Sequence, residues 1–213
     1  MYQNRRTSGL DPLPPSDAPG APAGLRDRKR AATRSRIAAA AAELAGTDGL
    51  ARTTVDRIAD TAEVGRATFF RYFGSKEQAL AEGMNTRWLD AIVAVLAAQP
   101  AELGPTAAVI GAFDELGSGF GEIEPQIREL AILVRSSPAL WAWTLQVHVQ
   151  YEDAIAELLA PRMPGGAGDP RARLLGALAM GVVRIALDDW LASGGSLPDR
   201  IHDGLQSISI AAD

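Results

Sequence analysis

Arg66, Thr68 and Arg71 fall within one run, Thr53 to Lys76, that reads TTVDRIADTAEVGRATFFRYFGSK. Two guanidinium forks and a hydroxyl among Ala67, Phe69, Phe70 and Tyr72 suit recognition. They can make bidentate bonds to base edges, apolar contact with thymine methyls and charge-assisted bonds to phosphates. Covalent chemistry has no such support. The 213-residue chain contains no cysteine and two histidines, which excludes disulfides, thiol nucleophiles and thiolate metal sites. No His–His metal spacing, nucleophile elbow or Gly-rich phosphate loop after a strand occurs. The expectation is a protein that is not an enzyme and uses no cofactor or metal.

The elements that must position these residues are two short helices and a turn. Thr53 is a good N-cap, with Asp56 placed to return a bond to the cap backbone. Val55, Ile58, Ala59 and Ala62 then recur at helical spacing. Glu63-Val64-Gly65 breaks the run, and Gly65 can take a left-handed backbone or cap the next helix. That second helix is predicted from about Arg66 to Arg71. Ser75 and Gln78 form a capping box that opens a third. This is a helix-turn-helix pattern, and its short second helix suits a DNA major groove. Spacing alone also fits a purely structural helix pair in a compact three-helix module.

The letters of the run closely resemble the DNA-binding signature of the tetracycline-repressor (TetR) family, T-V-x-x-I-A-x-x-A-G-V-S-x-x-T-L/F-Y/F-x-Y-F-x-S-K. Thr54, Val55, Ile58, Ala59, Ala62, Val64, Thr68, Phe69, Phe70, Tyr72, Phe73, Ser75 and Lys76 stand in register, 13 of 23 positions without a gap. Glu63 stands where the family usually has Gly, and Gly65 where it usually has Ser. The first puts an acid near the DNA face or strains the turn. The second removes a capping hydroxyl, at a cost of a few tenths of a kcal/mol. The resemblance implies an all-α, nine-helix architecture. It places Arg66, Ala67 and Phe70 at base-reading positions, and Thr54, Thr68, Tyr72 and Lys76 at phosphate-holding ones. Arg71 shares the surface of the same short helix.

Net charge is −5, yet it is segregated. Residues 26–87 hold 12 Lys and Arg against 8 Asp and Glu, whereas residues 88–213 hold 7 against 16. A basic head on an acidic body fits a regulator with a separate DNA face. Residues 1–25 are rich in Pro, Gly, Ser and Ala without periodicity and read as a disordered arm. Its Arg5 and Arg6 are candidate phosphate contacts. The basic stretch Arg26 to Arg36 leads into a helix with Ile37, Ala41, Leu44 and Ala45 on its apolar face, ended by Gly46 to Gly49. The helix opened by Ser75 runs to about Ala98, long enough to join head to body, with Gly83 a point of bending. The expected division is arm 1–25, DNA-binding domain 26–74, and ligand-binding and dimerisation domain 75–213.

Beyond the lever, proline and glycine punctuate further helices, opening at Pro105, Pro125, Pro138, Pro170 and about Pro198. In the family the last two helices pair with a second subunit, which implies a homodimer through about 170–210. The apolar character of 170–193 nearly all round agrees. Trp88, Phe113, Phe120, Trp141, Trp143, His148 and Tyr151 are candidates to line an apolar pocket. Arg128, Arg135 and Arg184 are candidate partners for an anionic ligand. A looser likeness, R-x-L-x-x-x-x-P-x-L and a W-L-x-x-G-G ending, resembles the mycofactocin-system regulators and implies an acyl-CoA-like effector. The resulting expectation is a cytoplasmic, non-membrane, homodimeric repressor of a palindromic double-stranded operator, released by a small, largely apolar effector. A TetR-like protein without a small-molecule switch, acting through protein partners or as an activator, is the alternative. A closed, tightly packed middle body would favour it.

Overall fold

The computed structural model describes residues 24–208. The expected disordered arm, with Arg5 and Arg6, lies outside the described residues. Among those described are nine α-helices and no strand. None of the helices is long and apolar enough to cross a membrane.

Helix α1 spans Leu25–Asp48. The basic stretch is therefore helical rather than a lead-in, because Arg, Lys and Ala are strong helix formers. Gly46 does not end it. The helix stops at Gly49, whose positive φ of 84° leaves the helical region. Helix α2 is Val55–Thr61 and α3 is Arg66–Tyr72. The cap of α2 is Thr54, whose hydroxyl accepts from the Arg57 N–H at 3.3 Å. Thr53, expected to cap, is buried and donates to the Gly49 carbonyl at 3.0 Å. Asp56 thus falls one position short of a capping box. Helix α4, Lys76–Ala98, starts at Ser75, which accepts from the Gln78 N–H. The Gln78 side chain returns a bond to Gly74 N–H at 2.9 Å.

The rest of the chain packs as α5 (Pro105–Ser118), α6 (Phe120–Ser136), α7 (Pro138–Leu159), α8 (Pro170–Ser193) and α9 (Leu197–Gln206). Pro125 does not open α6. The helix begins five residues earlier, and Pro125 sits inside it, leaving the Gly121 carbonyl without its usual donor. Ser137, Asp169 and Ser196 cap α7, α8 and α9 through their side chains. His202 of α9 meets Asp114 of α5 at 2.7 Å, and that carboxylate holds the imidazole pKa above its ordinary value.

Two apolar cores result. Ile37, Ile58, Phe69, Phe73 and Leu80 centre the head, built from α1 to the first half of α4. Ile92, Leu96, Val109, Ile155, Leu159 and Leu175 centre the body. Trp88 packs against both. A smaller cluster surrounds the buried Trp190, with Phe120 edge-on at 5.7 Å. The lever α4 therefore belongs to both cores. Gly83 is a point where α1 and α4 approach so closely that a side chain has no room. A Cβ there would lie 1.9 Å from the Ala38 carbonyl oxygen.

Candidate nucleic-acid interface and ligand cavity

Helix α3 has two faces. Phe69 and the following Phe73 are buried in the head core, their rings 5.9 Å apart. Opposite them Arg66, Ala67 and Phe70 are exposed, at i, i+1 and i+4, with Phe70 46 % exposed. Thr68 and Tyr72 sit half-buried on the flank, while Thr54 and Arg71 are exposed. The Arg66 guanidinium pairs with Asp56 at 2.5 Å and stands 5.4 Å over the Phe70 ring. Both partners in that pair are well exposed, so breaking it for a base edge costs little.

Lys76 is placed differently from a free phosphate ligand. It is half-buried, and its Nζ donates to the carbonyls of Thr53, at 2.9 Å, and Leu50, at 3.4 Å. It ties the α1–α2 loop to the start of α4. Arg34 is a positioning residue that local spacing does not reveal. It forks to Glu82 through Nε at 2.8 Å and Nη2 at 2.5 Å, donates to the Tyr72 carbonyl at 2.7 Å, and lies 4.4 Å over Phe73. One side chain thus fixes the end of α3 against α1 and α4. Its partners are 38 and 48 residues away, so in the sequence it is only one charge of a basic run. Arg36 similarly donates to the Ala62 carbonyl at the end of α2. Arg30, Arg34 and Arg71 share a groove with Asp27, Ala31 and Tyr72, which joins the basic N-terminal part of α1 to the end of α3.

The turn between α2 and α3 carries strain. Glu63 has φ 52°, the left-handed region that costs a non-glycine residue about 1 kcal/mol. Glu63→Gly is expected to raise the melting temperature by about 2–4 °C. It should also remove an acid beside the exposed face of α3, and a thermal scan with a DNA titration checks both.

In the body a cavity of about 210 Å³ lies among α4 to α9. Trp88, Phe113, Phe120, Trp141, His148 and Tyr151 line it. Trp143 does not. It packs against the body core instead, because two residues along a helix turn the side chain by about 200° from Trp141. Arg135 and Arg184 reach the cavity, whereas Arg128 stacks 3.9 Å over Trp190 and pairs with Glu124 at 3.1 Å. The Tyr151 hydroxyl donates to the Asn85 carbonyl at 2.6 Å, which joins the cavity wall to α4. Burial raises the Tyr151 pKa well above the ordinary phenol range, so the phenol keeps its proton. Burial lowers the His148 pKa, and the nearby Arg184 and Arg135 charges add to this, which keeps the imidazole neutral.

Most of the body's exposed large apolar side chains lie on α7 and α8. Leu145, Val149, Leu174, Leu178 and Ile185 are 39–53 % exposed. The two helices run antiparallel, with Gly176 against the Glu152 carbonyl and Arg173 near Asp153. Helix α9 turns Leu197 and Leu205 inward and leaves Asp199, Asp203 and Gln206 outside.

Residues 37–82 match the profile of bacterial regulatory proteins of the tetR family, and residues 103–211 match the MftR C-terminal domain. The chain is 32 % identical over 196 residues to the HTH-type transcriptional regulator TcmR of Streptomyces glaucescens, covering 88 % of this chain and 83 % of that one. Among solved structures, the fold resembles Thermus thermophilus FadR, a repressor solved with lauroyl-CoA. That match has a TM-score of 0.61 and 24 % identity, over 81 % of this chain and 91 % of that one. A TetR transcriptional regulator from Rhodococcus sp. RHA1 matches with a TM-score of 0.57 and 19 % identity, over 84 % and 94 % of the two chains.

Proposed function

Because the chain belongs to the TetR family of bacterial transcriptional regulators, we propose that it is a cytoplasmic homodimeric repressor whose hold on a palindromic operator is released by a small effector in the body cavity. The head, residues 26–74, presents α3 to the major groove. Arg66, Ala67 and Phe70 read bases; Thr54, Thr68, Arg71 and Tyr72 meet the backbone, as does Lys76 through the one N–H that its two carbonyl bonds leave over. The body, residues 75–213, holds the cavity and the second subunit.

The observation that carries this reading is the double membership of α4. Its Leu80 and Met84 are buried in the head core, and its Asn85, Trp88 and Ile92 form cavity wall one turn further on. A ligand that alters the wall acts on the helix that carries the head. Release then follows if the ligand binds better to the form with misplaced heads, by no more than that difference in affinity. A cavity in the middle body also favours this reading over one without a small-molecule switch. For the second subunit the exposed Leu145, Val149, Leu174, Leu178 and Ile185 supply an apolar patch, with Gly181 allowing close approach. The proposed pairing surface is the expected one at about 170–210, centred on α8, with the exposed Leu145 and Val149 of α7 beside it.

Selection of bound fragments from random duplexes, followed by sedimentation of the free and bound protein, tests the proposal. A palindrome with half-sites about 34 Å apart, bound by a dimer, is the expected result. A monomer that ignores DNA at low ionic strength overturns it.

A further inference from the structure

The cavity is apolar along most of its wall but not at the junction of α6, α7 and α8. There Arg135, Thr144, His148 and Arg184 come together, and none of the described residues lining the cavity is acidic. Each nitrogen of Arg135 already has a partner. Its Nε and Nη2 donate to one Asp188 oxygen at 2.8 and 2.5 Å, and its Nη1 donates to the Ala131 carbonyl at 3.1 Å. Arg184, among the described residues, pairs with the other Asp188 oxygen at 3.8 Å, beyond hydrogen-bond distance. Thr144 is 9 % exposed, and its buried hydroxyl has no hydrogen-bond partner among the described residues. An orphan buried hydroxyl costs about 1–3 kcal/mol, so such a group calls for a ligand or a water. Thr144 and His148 are one turn apart on α7, on the face that lines the cavity.

Resting on the reading of this cavity as the effector site, we propose that Arg184, the Thr144 hydroxyl and the His148 imidazole form an oxyanion subsite, and that the effector is a compact, largely apolar monocarboxylate. Charge sets the number. Two guanidiniums face one carboxylate, Asp188, beside a neutral imidazole, which leaves a single uncompensated positive charge. One carboxylate balances it. A dianionic phosphate would bring a second charge for which no further guanidinium at this end is free, since Arg135 already holds Asp188. The thioester group of an acyl thioester is neutral and offers Arg184 no anion. The aromatic remainder of the wall takes the apolar part of the molecule.

Calorimetric titration of the full chain with matched probes decides the matter: laurate against dodecanol, 2-naphthoate against 2-naphthalenemethanol, and lauroyl-CoA. At least one carboxylate is expected to bind ten-fold or more tighter than its alcohol and to outcompete lauroyl-CoA. Arg184→Gln should reduce that preference to two-fold or less while alcohol binding is unchanged. Thr144→Val, which keeps the shape, should weaken the carboxylate several-fold and spare the alcohol. Alcohols that bind as well as their carboxylates overturn the subsite and leave the effector cavity standing. So does tighter binding of lauroyl-CoA. If no probe of either kind binds, the subsite and the effector cavity fall together. Should Arg184→Gln not fold, the wild-type preference and Thr144→Val give the answer.

Discussion

Gly83→Ala is expected to lower stability by about 3 kcal/mol, the upper part of the range for overpacking a close helix contact. The added Cβ would sit 1.9 Å from the Ala38 carbonyl oxygen, 2.7 Å from its carbonyl carbon and 3.0 Å from the Ala42 Cβ. Two of these three atoms are backbone, so no side-chain rotation relieves the clash and the helices must part. The helix-propensity gain of alanine over glycine, about 1 kcal/mol, does not compensate. Parting α1 from α4 also stretches the Arg34–Glu82 fork, and with it the grip of Arg34 on the Tyr72 carbonyl. The melting temperature should fall by about 6–12 °C at that cost, and DNA affinity should fall with it. Gly121→Ala is the control: nothing lies within 4 Å of its added Cβ, so it should be neutral or slightly stabilising. Equal melting of Gly83→Ala and wild type would show that α1 and α4 are not locked at this point.

The helix-turn-helix was legible because its signals are local. Caps, the break at Glu63 to Gly65 and the buried spacing of Ile58, Ala59 and Ala62 all act within one or two turns. What local pattern misjudged were a choice between two similar neighbours and the start of a helix. Thr53 and Thr54 are both capping residues, and the one whose side chain is drawn into the head core, 0 % exposed, cannot serve as the cap. Pro125 looked like a helix start because proline is favoured there, yet the helix tolerates it a turn inside.

The candidate sites divide in the same way. The exposed face of α3 follows from seven residues of sequence. The cavity needs six helices, and only the aromatic composition of the middle body hinted at it. Trp141 and Trp143 could not be told apart by composition, although helical geometry already forbids both from facing one cavity. Arg34, Arg128 and Arg135 are alike in sequence. Their fates, as clamp on α3, lid on Trp190 and partner of Asp188, are set by residues distant along the chain or by packing.

Arg66→Ala is expected to cost about 1–3 kcal/mol at one base pair of each half-site and to leave binding to random duplex DNA far less affected. The guanidinium is exposed on the open face of α3, and its ion-pair partner is the exposed Asp56. Arginine forks most often to the two acceptors of guanine, so the loss should concentrate at that base. The ratio of operator to random affinity then drops roughly 5- to 150-fold per half-site. Lys76→Ala makes the contrast. Removing one phosphate bond from each head should weaken all duplexes alike and flatten the salt dependence by about one unit per bond. Because Lys76 also holds the Thr53 and Leu50 carbonyls, its melting temperature must be followed in parallel; Arg66→Ala should leave stability nearly untouched. Asp56→Asn completes the set. With the carboxylate gone, Arg66 is released before DNA arrives, and operator affinity should rise in wild type but not in the Arg66→Ala background. Equal losses on operator and random DNA for Arg66→Ala would make it a phosphate contact and move the reading of bases to Ala67 and Phe70.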